Sequence, residues 1–287
     1  ILLVRYLRLD IAIGFGMILG AGALNKTSGF ISAYILPITL LLFDFARKDW
    51  QRRFVRWVFL SGLAVVLMYA YYSVLRLSPF FHIINEKNTI FFYPWSEWLA
   101  HPFTFFVGNW SGFWDWFITY MTWPVLLLIF ASFVVQRKFL REKVLLLLWF
   151  IVPFTVMALI GKTLYPRFIF FMTLSLLPLA AYSLWQFSRW INKPLLFIVG
   201  CLMLVAMQLW ADYVILTNFA RAPIPKSDLD QYVNDWPAGG GIAEAIDFFQ
   251  RESKGEKIYI ATQGSFGLLP YALEIYLVDN PNITIKG

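Results

Sequence analysis

Of the 287 residues, 60% are hydrophobic, 20% aromatic and 14% charged. A water-soluble domain is about half apolar and about a quarter charged, so water is not the main solvent of this chain. The net charge of +7 argues little for nucleic acid, because the basic residues sit in short clusters between apolar runs, as in cytoplasmic loops.

In chain order, ILLVRYLRLD comes first, with no initiator Met and no cleavable signal pattern. This points to a chain that begins partway through a longer protein. Apolar runs free of charge come next, at about 11–24, 30–43, 57–75, 121–135, 144–160, 168–187 and 195–211, which gives seven candidate membrane-spanning helices. The first two are shorter than the ~20 residues needed to cross a ~30 Å hydrocarbon core. Asn25-Lys26-Thr27-Ser28-Gly29 joins them, either as an ordinary polar hairpin or as a turn sunk to the depth of the lipid phosphates.

If Arg5 and Arg8 are cytoplasmic, strict alternation puts Arg47, Lys48, Arg52, Arg53, Arg56, Arg137, Lys138, Arg141, Lys143, Arg189 and Lys193 on the same side. The opposite side keeps Lys26, Arg76, Lys87, Lys162 and Arg167. That 13 to 5 ratio sets the orientation by the positive-inside rule. The tail after the seventh run is then external, in a multi-pass protein of the plasma membrane.

The loop at 76–120 is crowded with aromatics (FFHIINEKNTIFFYPWSEWLAHPFTFFVGNWSGFWDWF) and will not float in water. The expectation is one or two helices lying flat on the external leaflet, around 94–106 and 112–120. Its polar chemistry is His82, Glu86, Glu97, His101 and Asp115, which are candidates for substrate contact or plain interfacial solvation. Two histidines nineteen residues apart with no evident third ligand are a weak metal signal. Cys201 is the single cysteine and lies inside an apolar run, so an intrachain disulfide is excluded.

Beyond Asp212 acidic residues become common and the surface reads as soluble. The pattern there is a helix at 241–252, a strand at 257–262, a helix at 267–277 and a strand at 283–285, an α/β order that suits a parallel sheet. The expected fold class is therefore a polytopic α-helical membrane domain over 1–217 and a small external α/β domain over 218–287. The second domain reads as truncated, since NITIKG ends on a strand.

None of the seven runs contains Asp, Glu, Lys, Arg or His, whereas ion-coupled transport needs ionisable or broken helices near the midplane. Chemistry at the external face on a lipid-linked substrate suits the charge distribution better. Leu24-Asn25-Lys26-Thr27-Ser28-Gly29 lies between two short runs, and Gly161-Lys162-Thr163-Leu164-Tyr165-Pro166-Arg167-Phe168 opens another. With these motifs the chain resembles GT-C superfamily glycosyltransferases of the bacterial family 39 and mannosyltransferase-like branch. The Asp235-Trp236-Pro237-Ala238-Gly239 stretch and KIYIATQGSFGLLPYALEIYL are similar to an external domain appended to some of those enzymes.

The resemblance implies transfer of a sugar from a polyprenyl-phosphate donor to an acceptor hydroxyl, with inversion. The catalytic base in such enzymes is an acidic residue of the first external loop. That loop has no counterpart in this sequence, so no residue here is assigned as base, and a divalent metal cofactor stays open. Arg167, Lys162 and Tyr165 are the leading candidates for binding the lipid phosphate, with Lys26 and Arg76 behind them; the competing role is snorkelling at helix ends. The alternative function is a non-catalytic lipid-headgroup scaffold or lipid transporter. Asn25-Lys-Thr, Asn109-Trp-Ser and Asn282-Ile-Thr read as external glycosylation sequons.

Overall fold

Backbone polar groups in hydrocarbon must find partners within the protein, so long apolar runs fold as helices. A computed structural model describes residues 1–234, 240–262 and 270–286, and the chain divides into two units, Ile1–Leu209 and Trp210–Gly287.

The first unit begins with α1 (Leu2–Tyr6), α2 (Leu9–Asn25) and α3 (Gly29–Tyr34), which runs on as a 3-10 helix over Leu36–Leu42. Then come α4 (Trp50–Ser73), α5 (Phe81–Phe91), α6 (Trp95–Ala100), α7 (Phe106–Met121), α8 (Trp123–Val134), α9 (Leu140–Ile160), α10 (Phe170–Thr173) and α11 (Leu177–Trp190). The last helix, α12 (Pro194–Thr217), straddles the division between the units.

Among the described residues, four helices are long and apolar enough to cross a membrane: Trp50–Leu77, Leu140–Ile160, Phe170–Trp190 and Pro194–Thr217. A fifth is added if α7 and α8 count as one broken span, although they meet at 99°. These correspond to the runs at 57–75, 144–160, 168–187 and 195–211. The other three runs form shorter pieces. At about 1.5 Å per residue, the 17 residues of α2 and the 12 of α8 each stop short of the hydrocarbon thickness. Thr122 makes the bend between α7 and α8 with φ 60°, and its hydroxyl accepts from Gln208 Nε2 at 3.2 Å.

Contacts sort the helix ends of this unit into two groups. In one, Arg5 pairs with Glu142 in the first turn of α9, and Arg53 Nη2 in the first turn of α4 donates to Arg5 O at 3.3 Å. Lys143, expected to face the cytoplasm with its neighbours, is instead 3% exposed. Its ammonium donates to Ser132 O and Gln136 O and so satisfies carbonyls that the end of α8 leaves without helical partners. Gln136 in turn accepts from Tyr182 and Gln186 of α11. The other group brings together Lys26 after α2, Phe91 at the end of α5, Gly161 after α9, and Phe168.

The largest core among the described residues takes in the second half of the aromatic loop. Phe113 and Phe117 of α7 are buried against Phe150 and Phe154 of α9, with Trp110 and Trp114 packed around them. Phe106, Trp110, Phe113, Phe117 and Met121 recur at helical spacing and form one apolar stripe. That stripe makes α7 a core helix of the unit.

Against α4, helix α2 turns a glycine pair. A Cβ built on Gly16 would sit 2.8 Å from Ala64 O, and one on Gly20 would sit 2.6 Å from Tyr71 Cβ. Between helices in lipid the hydrophobic effect is absent, and close packing of small residues replaces it.

The second unit holds α13 (Lys226–Leu229), α14 (Ile242–Glu252), β1 (Ile258–Ala261), α15 (Tyr271–Leu277) and β2 (Ile283–Lys286). The strands pair in parallel, Ile258 with Ile283 and Ile260 with Ile285, and α15 lies in the crossover between them. Ile246 of α14, Ile260, Leu273 and Leu277 form its core. Asn282 Nδ2 donates to Ser253 O at 2.9 Å, so the amide of this sequon is engaged in the fold. Residues 235–239, and the first part of the helix expected at 267–277, lie outside the described residues.

The glycine pair gives a direct test. Gly20→Leu should force α2 from α4 and destabilise the protein by about 1–3 kcal/mol, the usual cost of overpacking. Gly14→Leu, whose added Cβ meets nothing within 4 Å, should be neutral. Thermal unfolding in detergent micelles reads both, and equal midpoints for the two variants would show that the close approach does not matter.

Candidate functional site

Helix α9 ends at Ile160, where the last carbonyls of a helix lose their partners. The aromatic loop supplies the missing donors. Asn109 Nδ2 donates to both Ala158 O and Gly161 O at 3.0 Å, Trp98 Nε1 to Leu159 O at 3.1 Å, and the Tyr93 N–H to Ile160 O at 3.0 Å. The Lys162 N–H returns a bond to Phe91 O at 2.8 Å, and Phe92 and Gly161 form an isolated antiparallel bridge. Two segments some sixty residues apart in sequence are thereby held edge to edge.

This clamp gathers the basic residues of the motif. Pro166 is buried and opens a short 3-10 turn, Pro166–Phe168, for which its fixed φ suits it. Arg167 leaves that turn with its guanidinium carbon 4.4 Å from the Tyr165 ring centre and 5.6 Å from that of Phe168. Lys26, arriving from the α2–α3 turn, places its ammonium 4.8 Å from the centre of the same Phe168 ring. Phe168 packs edge-on against Phe91 at 5.6 Å and against Tyr165 at 5.7 Å. Partial burial, and next the nearby charge of Arg167, hold the Lys26 ammonium below the usual lysine pKa. Two cations that repel each other and share an aromatic anchor form a place where an anion is favoured.

Lys162, whose backbone is part of the clamp, holds its ammonium 5.7 Å from the ring centre of Tyr93. It directly follows the C-terminus of α9, where a cation is already favourable by the helix dipole. Its position therefore argues less for a ligand than those of Lys26 and Arg167. Tyr93 stacks on Phe105 at 5.1 Å with an interplanar angle of 11°.

Both rings line a cavity of about 230 Å³ together with Trp98, Glu97, His101 and Thr104. Burial, then the charge of Glu97, raises the Tyr93 phenol above its ordinary pKa. Glu97 and His101 lie one helical turn apart, at α6 and the residue that ends it, which explains why both reach this cavity.

The remaining candidates lie apart from this cluster. Arg76 stacks over Phe81 at 5.6 Å, His82 Nδ1 is 3.1 Å from Pro79 O, and both side chains are exposed beyond the end of α4. Glu86 is exposed on α5. Among the described residues, no three His, Cys, Asp or Glu side chains converge as a metal site.

Sequence reasoning misses the two residues that build the clamp. Asn109 reads there as a sequon and Trp98 as an interfacial aromatic. The available signal is an amide one turn before the buried Phe113 of α7.

Asn109→Ala should leave Ala158 O and Gly161 O without their shared donor and destabilise the protein by about 1–3 kcal/mol. Asn109→Asp should cost more, since it sets a carboxylate against two carbonyls. Denaturant titration of the purified protein reads the order, and Asp equal to Asn would refute the clamp. Compared with known proteins, the chain matches no family model, no curated protein and no solved structure.

Proposed function

We propose that this chain is the membrane part of a glycosyltransferase that moves a sugar from a polyprenyl-phosphate donor to an acceptor hydroxyl at the external face, with inversion. The observation that carries the reading is the convergence of Lys26 and Arg167, from turns far apart in sequence, on the ring of Phe168. Tyr165 beneath the guanidinium fixes its direction. An arginine can hold two phosphate oxygens through parallel N–H bonds and stays protonated at any working pH.

In the reaction, the acceptor oxygen attacks the anomeric carbon and gives its proton to a carboxylate. The bond from that carbon to the phosphate oxygen breaks, and the electron pair leaves on the lipid phosphate, where Arg167 and Lys26 stabilise it. The base is expected in the acidic first external loop of the family that the chain resembles, and no residue here is assigned to it.

The reading takes the bent α7–α8 pair as one crossing and puts the second unit on the external side. α2 and the α3 segment return the chain to the face it left whether they cross or re-enter, so the count of sides is the same either way. Arg5, Arg53 and Glu142 meet at one end, as a shared cytoplasmic face requires. The acceptor and the sugar are left to the chemistry of the cavity.

Orientation is tested by cysteine labelling in a Cys201→Ser background. Glu256→Cys should react with an impermeant thiol reagent in intact cells, and Gln51→Cys should react only after lysis; both positions are exposed on their own units. The reverse pattern would overturn the orientation and, with it, the site.

The phosphate site is tested by binding. In nanodiscs, Arg167→Ala should weaken binding of a polyprenyl phosphate by about tenfold or more, as expected when a charged hydrogen bond is lost. Arg167→Lys should recover part of it, and the matching polyprenol without phosphate should not distinguish the variants. In a chain that carries the base, the same change should slow sugar transfer by about 10²-fold. Equal phosphate affinity for wild type and Arg167→Ala would refute the proposal.

A further inference from the structure

The cavity lined by Tyr93 and Trp98 has features of its own. Tyr93, Trp98 and Phe105 supply aromatic wall, while Glu97, His101 and Thr104 supply polar groups. The Trp98 indole is fixed by its bond to Leu159 O, and Tyr93 by stacking on Phe105 and by its backbone bond to Ile160 O. The walls are thus held by the end of α9 before any ligand arrives.

At about 230 Å³ the cavity is smaller than the roughly 300 Å³ at which pockets for drug-sized ligands begin, so it suits a single small ring. A ligand matched to such a lining needs an apolar C–H surface to lie on aromatic rings and several hydroxyls at its edge. The carboxylate of Glu97 can accept from two neighbouring hydroxyls, and the His101 imidazole can donate or accept. A planar aromatic ligand would cover Glu97 without offering it donors, at a cost.

We infer that this cavity binds one pyranose unit, seated on Trp98 and Tyr93 with its hydroxyls on Glu97 and His101. The inference rests on the glycosyltransferase reading for its place in the reaction, and it names the sugar subsite of that reading. Tyr93 lines the cavity and its ring is contacted by Lys162, so Lys162 is the cation placed to meet the phosphate of a glycosyl phosphate whose ring lies in the cavity. The same chemistry would serve a sugar brought by the acceptor.

The test uses the whole chain in nanodiscs with methyl glycosides of glucose, mannose, galactose and N-acetylglucosamine as probes. Saturation-transfer NMR should show transfer to the ring C–H protons of at least one probe. Glu97→Gln and His101→Ala, both at exposed positions, should each weaken that binding by about tenfold. If polyprenyl phosphosugar displaces the methyl glycoside, the donor's sugar occupies the cavity; if the two bind together, the acceptor's does.

No transfer from any probe, or transfer that Glu97→Gln and His101→Ala do not alter, would overturn the sugar site. That result would leave the phosphate site standing if polyprenyl phosphate still binds through Arg167. Sugar binding without Arg167-dependent phosphate binding would sink the phosphate site and leave the cavity.

Discussion

The end of α9 is the constraint on which the rest of the site depends. A helix that stops at the edge of a low-dielectric layer leaves carbonyls that water cannot reach, and each needs a donor from elsewhere in the protein. In this chain Asn109, Trp98 and the backbone of Tyr93 provide those donors. Satisfying them brings the 91–109 segment against the Gly161–Phe168 turn. The cavity and the rim are consequences of that requirement, since Tyr93 and Trp98 serve as both clamp and wall.

The opposite end of the unit meets the same need with a different group. Lys143 reaches back to Ser132 O and Gln136 O, and its ammonium lies 4.5 Å from the centre of the Tyr182 ring. A lysine does here what an amide and an indole do at the other end. With α8 and α9 joined in this way, and with Gln136 bonded to Tyr182 and Gln186 of α11, the positions of α9 and α11 relative to α8 are set. The chain then enters the Pro166–Phe168 turn from a fixed direction.

The long helices are legible in the sequence because an uninterrupted apolar run has few other folds in lipid. The parallel pairing of β1 and β2 is legible from the order of α and β patterns. Two features are hidden for physical reasons. Aromatic residues serve both interface and core, so the stripe Phe106, Trp110, Phe113, Phe117 is masked by other aromatics on every face of α7. Lys143 reads as one more cytoplasmic cation, because its burial depends on where α8 stops, and apolar composition does not mark a helix end to within a turn. Lys26 ranks below Lys162 in the sequence for a similar reason, since the Phe168 ring that it shares with Arg167 is distant along the chain.

What separates the rim from ordinary snorkelling is where the cations end up. A snorkelling side chain extends toward water to keep its hydration and has no need of a like-charged neighbour. Lys26 and Arg167 are both exposed and in addition share the Phe168 ring, and the lowered pKa of Lys26 reflects partial desolvation and the nearby charge of Arg167. Contact with an aromatic face returns some of that cost through the ring quadrupole. An anion between the two charges removes repulsion and supplies hydrogen-bond acceptors in one step. Lys162 lacks this feature, because the α9 dipole already accounts for its charge. Lys26 and Arg167 together, more than Lys162, favour an anion at Phe168.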